Sequence, residues 1–562
     1  MFVSLVELHN CSHGLKLLRL AAAILAVSLL LFMIKLYQAR MKFRRLKSQG
    51  IPIMSHSLVF GHLPVVLQFY RDWAFDANLV QSFGYYMSKY WKKFFPNEDR
   101  CPPVVYVDIW PMSRPMAFSM EAYVSNQMSI GTSLPKSPMH GEFLGPISAG
   151  KDLICMHGDE WRMWRSMFNR GFSRGNIRAW VPAILEEVEA FSNMLRNLSG
   201  GNGGWGQVFP LEQISSNLAF DVTGRILLDT RLNTQSLYPS QFTLAYREQL
   251  ERMEITFSPR KLLWRATPFF KLLVQRKRDE LFQILRPSIM ENLSAPSKGP
   301  QTIVQAAGED LKRVASAKGE DKDGPLDESL VKHVFFHLMA TFFGGDDAIS
   351  ITLPRIFKQL QQHPECLAKL RAEHDTILGP DPSAAAQRLR DEPHILDSLK
   401  YTLSVIKETL RINPATITIR AGQPDFNFHI KDSHTVWPTA GFDLFDSSIT
   451  IHNDPANFHE PSEFIPERYL VPAGDVLHPE KDMWRGFQLG PRRCLGQELA
   501  IVVLKLVLVL VVRDLTLRWP GKSGTGSESN RGSNSTSRQS KASGCTPLGR
   551  QPRIQKTVHQ HM

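Results

Sequence analysis

The sequence predicts a mainly α-helical protein carrying a small β lobe, and three observations lead there. Most of the chain from about residue 50 to residue 515 spaces its apolar residues as helices do. Only two short stretches, around Val104 to Asp108 and Ile417 to His429, read as strands. The last long apolar run, Ile501 to Val512, is short and interrupted by Lys505. That makes it a buried core helix and not a membrane span. At 562 residues the chain could hold several domains, but one large domain with an ample core accounts for most of it.

Taken from the N-terminus, Leu20 to Ile34 carries no charge. Counted from Leu17, with Arg19 able to snorkel at the boundary, the stretch approaches the ~20 residues that cross a bilayer. A cleaved signal peptide wants its positive charge ahead of the apolar run and a small-residue cleavage site behind it. Here the main basic cluster, Lys35, Arg40, Lys42, Arg44, Arg45 and Lys47, lies behind the run. A retained single-pass anchor with the bulk of the chain on the cytosolic side follows. The expected organisation is a short far-side tail at 1–16, an anchor at 17–34, a basic linker at 35–50, a body at 51–520 and a disordered tail at 521–562. Gly50-Ile51-Pro52 reads as a stiff turn between anchor and body. Asn10-Cys11-Ser12 is a formal glycosylation sequon, set very near the membrane.

Cys11, Cys101, Cys155, Cys366, Cys494 and Cys545 are scattered, without Cys-x-x-Cys zinc spacing or the density of a disulfide scaffold. A reducing compartment is the simpler reading. The net charge of +12 divides between the basic cluster and the segment after Pro520, leaving the body close to neutral. A nucleic-acid footprint is therefore not supported.

One loop says what the protein holds. Phe487-Gln488-Leu489-Gly490-Pro491-Arg492-Arg493-Cys494-Leu495-Gly496 presents a cysteine at the head of an apolar helix. A thiolate is a strong axial donor to haem iron, and a helix N-terminus with neighbouring N–H groups stabilises the anion. Gly490 and Gly496 allow a tight turn and close approach to a flat macrocycle. Phe487 can cover the sulfur, and Arg492 can meet a propionate. A buried free cysteine before a core helix is the bland alternative. Every fixed residue of Phe-x-x-Gly-x-Arg-x-Cys-x-Gly is in place, and the loop resembles the haem-binding loop of the cytochrome P-450 family. The resemblance implies that family's fold around a buried haem b, with Cys494 as proximal iron ligand.

Further motifs follow in the family's order. Trp161 and Arg165, one helical turn apart, match its Trp-x-x-x-Arg helix, which implies a shared propionate contact. By themselves they would read as a surface stacking pair. Glu408 and Arg411 share a face at the end of a helical pattern starting near Asp397. The resemblance implies that they are buried and completed by Arg468 of Pro466-Glu467-Arg468-Tyr469, a triad serving folding and haem retention. Arg420 stands where the family places another propionate-binding arginine. Gly150 to Ile154, Phe168 to Ser173 and Gly224 to Asp229 look most like membrane-bound enzymes of filamentous-fungal secondary metabolism.

A long helix opening near Asp327 and ending before Pro364 would carry the oxygen-activating residues, centred on Gly344-Gly345-Asp346-Asp347-Ala348. Gly344, Gly345 and Asp347 match the family's Ala/Gly-Gly-x-Asp/Glu-Thr; Ala348 replaces the threonine. Two adjacent glycines cost ~2 kcal/mol in a helix interior, explained by a local widening for dioxygen and substrate. Pro354 would add a kink. Threonine there holds a water that delivers protons during dioxygen activation, and alanine has no hydroxyl. Asp347, Ser350 or a substrate hydroxyl would have to substitute. Gly521 to Met562 lacks the family's terminal β-hairpin and any aromatic residue, reading as a polar tail or as a shifted reading frame.

The resemblance thus implies a haem-thiolate monooxygenase in the endoplasmic reticulum membrane. It would take an apolar small molecule and two electrons from NADPH-cytochrome reductase. The rivals are a dioxygen-independent isomerase or dehydratase on the same scaffold, favoured by Ala348, and a non-catalytic haem-binding paralogue.

Overall fold

The computed structural model describes residues 2–73, 79–200, 204–253, 259–295, 299–317, 327–431, 433–519 and 553–556. Two compact units divide the chain. The first comprises Met1–Ser125 and Ile419–Ser447; the second comprises Asn126–Thr418 and Ser448–Met562.

The first unit opens with helix α1, Phe2–Ser48. Its most apolar eighteen-residue window has a mean hydropathy of 2.3 and no buried residue. The stretch expected as a basic linker, 35–50, is instead the last third of this helix. Leu36 and Ala39 are half-buried, and Arg40, Phe43 and Leu46 are buried, the spacing of one helical face. The charges alone mark this stretch as basic, but among them Arg40 is consumed by partners inside the unit. After Gly50, in the left-handed region at φ 85°, the chain leaves the helix. The β lobe is a four-stranded sheet in the order β1 (Val104–Val107), β2 (Met116–Ser119), β6 (Asp443–Asp446), β3 (Thr418–Ala421). β1 and β2 pair antiparallel, β2 and β6 parallel, with Phe118 opposite Phe445 and their rings stacked at 4.6 Å. Between β3 and β6, β4 (Asn427–Phe428) and β5 (Trp437–Pro438) form a two-stranded ribbon.

The second unit is helical around one large apolar core. Five of its helices matter most for function: α2 (Gly158–Gly171), α3 (Leu211–Leu228), α4 (Glu328–Gln362), α5 (Lys400–Ile412) and α6 (Gln497–Val511). The Asp327 carboxylate caps α4 by accepting from the Ser329 N–H at 3.1 Å, and the helix continues through Pro354 to Gln362. α5 begins at Lys400, not near Asp397, because Pro393–Asp397 forms a separate 3-10 turn. α6 is buried, and its Lys505 ammonium donates to the Leu396 carbonyl at 2.6 Å. Within the segment expected as a disordered tail, Arg553–Lys556 forms β8, antiparallel to β7 (Leu515–Arg518). The rest of 521–562 lies outside the described residues.

Candidate active site

The Cys494 loop is closed by its own backbone. The Cys494 N–H donates to the Phe487 carbonyl at 2.9 Å and the Arg493 N–H to that of Gly490 at 3.1 Å. Gly490 sits at φ 77°, and a Cβ there would stand 2.0 Å from the Ser129 carbonyl oxygen. Glycine is required at 490 by dihedral and by space alike. Gly496 is the residue just before α6, and its N–H faces the Cys494 sulfur. Cys494 is accessible to water, yet burial among protein atoms is the largest influence on its thiol. A side chain both accessible and enclosed faces an interior space. Burial pushes the thiol above the usual cysteine range, against the Gly496 N–H and the cations of Arg165 and Lys136.

Trp161 and Arg165, both on α2, reach the loop separately. Arg165 donates to the Arg493 carbonyl at 3.0 Å. Trp161 receives the Arg492 guanidinium over its ring at 4.2 Å, a cation–π contact, while Arg492 also donates to the Met156 carbonyl at 2.7 Å. The stacking partner of Trp161 thus comes from the loop and not from Arg165. Phe487 packs edge-on against Trp484 at 6.0 Å. Lys136, which the sequence reading missed, donates to Thr418 Oγ1 at 3.3 Å; a lone lysine between Pro135 and Ser137 belongs to no periodic pattern. Arg420 lies in the first unit, buried on β3, where burial, opposed by Asp446, lowers it to about 10.

Glu408, Arg411 and Arg468 form a closed ionic cluster with side chains 0% exposed. Arg411 donates to both carboxylate oxygens of Glu408 at 2.8 Å. Arg468 Nε reaches Oε1 at 3.1 Å, and the Ile465 N–H adds a fourth donor at 3.0 Å. Arg411 gives its other three guanidinium protons to the carbonyls of His452, Pro461 and Glu463, and Arg468 donates to those of His459 and Glu460. Such saturation is what makes buried charge tolerable. His452 links the cluster to the loop: one ring nitrogen donates to the Arg411 carbonyl at 2.8 Å, and the other accepts the Arg485 N–H at 2.9 Å. That pairing requires a neutral imidazole, and burial lowers His452 to about 3.

Comparison with known proteins decides the lineage. Residues 89–541 match the cytochrome P450 family model. The chain belongs to the cytochrome P450 family. It is 32% identical to cytochrome P450 monooxygenase polC of Polytolypa hystricis, over 88% of this chain and 86% of that one. Cytochrome P450 monooxygenase acrF of Aspergillus aculeatus is 28% identical over 72% of this chain and 83% of its own. Cytochrome P450 monooxygenase ptmJ of Penicillium ochrochloron is 21% identical over 88% and 89%.

The P450 family uses haem b, and the site fits it. A single thiol faces an interior space, with two cations beside it to meet ring carboxylates. When bound, the haem iron supplies the positive charge that keeps such a thiol ionised and the centre at which dioxygen is activated.

On α4 the two glycines face different surroundings. A Cβ at Gly344 would meet nothing within 4 Å, whereas one at Gly345 would stand 2.7 Å from Thr223 Oγ1 on α3. Gly344 leaves open space; Gly345, expected among the catalytic residues, lets two helices close. Asp347 is held above the usual carboxylate range, chiefly by burial, then by Glu212, against Arg355. The Ala348 carbonyl accepts from Thr352 Oγ1 at 2.6 Å and the Asp347 carbonyl from Ser350 Oγ at 3.1 Å. Both hydroxyls are thereby turned onto backbone. Asp346 is the acid that the sequence reading passed over: burial raises it to about 6, opposed by the Ser216 hydroxyl.

Proposed function

We propose that this P450 is a membrane-anchored monooxygenase that places one atom of dioxygen into an apolar small molecule of fungal secondary metabolism. Cys494 ligates the haem iron. Arg165, Arg492 and Lys136, with Trp161, hold the propionate side within the second unit, and for Arg420 a propionate role rests on the family resemblance alone. Phe487 and Gly496 shape the ligand loop, while Glu408, Arg411 and Arg468 keep it folded. Asp347 serves the oxygen side, relaying protons past the hydroxyl-free Ala348, while Gly345 lets α4 close on α3 behind them. Electrons come from an NADPH-cytochrome reductase on the same endoplasmic reticulum membrane, and the apolar run of α1 is the single span that holds the enzyme there.

The observation carrying this reading is the Cys494 thiol, accessible to an interior space and flanked by the Gly496 N–H and two cations. The reduced protein with carbon monoxide should show the red-shifted Soret band of a thiolate-ligated haem. Cys494→His should abolish that band while leaving some haem bound; a variant that kept it would remove Cys494 as ligand.

A further inference from the structure

Asp346 follows the glycine at which α4 and α3 come together, and folding gains nothing from its charge. A Cβ at Gly345 would stand 2.7 Å from Thr223 Oγ1, and three residues earlier the rings of Phe342 and Phe220 pack at 5.0 Å. This crossing sets Asp346 against Ser216 of α3, whose hydroxyl donates to its carboxyl. The second oxygen, Oδ1, is buried and has no hydrogen-bond partner among the described residues. An asparagine would serve Ser216 equally well without burying an ionisable group, so packing alone does not call for an acid here.

The groups around Asp346 leave it free to exchange a proton. From the helix Gln241–Glu251, Arg247 donates to Asn217 Oδ1, which also accepts from Gln213 at 3.2 Å. That guanidinium acts on Asp346 through space, without a hydrogen bond between them among the described residues. Tyr246 of the same helix donates to the Met339 carbonyl at 2.8 Å, and burial holds its hydroxyl well above the usual range, so it stays protonated. Asp347 is the neighbouring acid, and its charge pushes Asp346 further up. Successive residues stand about 100° apart around a helix. Asp346 therefore turns to α3, and Asp347 turns toward the sector of Gly344 and Ala348, where a Cβ at 344 would meet open space. At the other end Ser216, Asn217 and Arg247 are half-buried. Ser216, Asp346 and Asp347 thus lie in order from a solvent edge to an interior space.

We propose that Ser216 and Asp346 form the solvent-side arm of the proton route that Asp347 serves, with Asp346 recharging the Asp347 carboxylate after each delivery. The inference rests on reading Asp347 as the acid of the oxygen side. In the recharging step the O–H bond of Asp346 breaks as one forms on Asp347. The Ser216 hydroxyl then gives its proton to the Asp346 carboxylate and takes one from a solvent hydronium, which leaves as water. One proton enters per delivery, and no electrons move. Burial lifts the Asp346 carboxyl to about 6, near the working range in which a relay group both holds and releases its proton. A buried acid set apart in this way beside a second one is the pattern of a functional group and not of a structural ion pair.

The test uses the full-length, haem-loaded protein. Infrared difference spectra of its ferric form follow the carbonyl stretch of protonated carboxyls as the pH is raised. A band that disappears near pH 6 in the wild type and is missing from Asp346→Asn is expected; a spectrum that Asp346→Asn leaves unchanged would overturn the proposal. NADPH consumption is then timed in light and heavy water with dioxygen, excess NADPH-cytochrome reductase and no added substrate. Asp346→Asn and Ser216→Ala should each slow it by at least about tenfold and raise the solvent isotope effect, while Asp346→Glu and Ser216→Thr restore both. A slow Asp347→Asn beside an Asp346→Asn at the wild-type rate would overturn this inference and leave Asp347 as the relay. Wild-type rates in both would overturn the inference together with the reading of Asp347. A slowed Asp346→Asn that glutamate does not restore, with the isotope effect unchanged, would assign Asp346 to structure and overturn the proposal.

Discussion

Replacing Asp346 by Asn should raise stability relative to wild type progressively as the pH rises. The Asp346 carboxyl lies in the second unit with its Oδ1 buried and without a hydrogen-bond partner among the described residues. Burial raises it from 3.8 to about 6. The folded chain then holds a proton that the unfolded chain releases between those values, so stability falls as pH rises through that window. At 1.36 kcal/mol per unit the full penalty above the folded value is about 3 kcal/mol. The same linkage gives about half of it at pH 5. Asparagine can still accept from Ser216 but carries no titrating charge. Any cost of its amide protons, on the order of 1–3 kcal/mol, is the same at every pH. The gap in stability between Asn variant and wild type should therefore widen by about 1.4 kcal/mol from pH 5 to pH 8. Paired denaturant or thermal melts of the haem-loaded proteins at the two pH values measure it. A gap that stays constant, or narrows, would mean that Asp346 is ionised in the folded protein without penalty.

The other predictions concern the core, the relay and the anchor. Arg468→Met leaves the Glu408–Arg411 pair but strands one carboxylate lone pair and the carbonyls of His459 and Glu460. A loss of ~3–5 kcal/mol should appear as faster thermal haem release, whereas a haem half-life equal to wild type would show the triad to be redundant. Ala348→Thr should lower the peroxide released per NADPH consumed with substrate present, because threonine adds a hydroxyl where Ser350 and Thr352 have theirs committed to backbone. No fall would place the proton route elsewhere. Deleting residues 1–34 should leave the melting temperature unchanged, whereas deleting 1–47 removes Arg40 and leaves Asp108 buried without its guanidinium. The longer deletion should therefore cost ~3–5 kcal/mol, and equal melting temperatures for both would show that Arg40 contributes nothing to folding.

What the sequence determined by itself is the family's cofactor and the loop proposed to hold it. The thiol, its bracketing glycines and the Glu408–Arg411 spacing are local patterns, and a turn or a helix face converts such patterns directly into geometry. The same holds for α4, whose cap at Asp327 and end before Pro364 are written in residues adjacent to one another. Other features needed partners far apart in the chain. Trp161 and Arg165 look like a pair along one helix, yet each spends its contact on the Cys494 loop, more than three hundred residues away. Asp346 and Asp347 are adjacent acids in sequence, and only the burial that the fold imposes shows both held above the usual carboxylate range. Arg40 sits in a run of positive charges that reads as a solvated flank. Asp108 and two carbonyls turn it into a buried anchor point, because a side chain's charge is local information while its desolvation and its partners are set by whatever the fold brings against it.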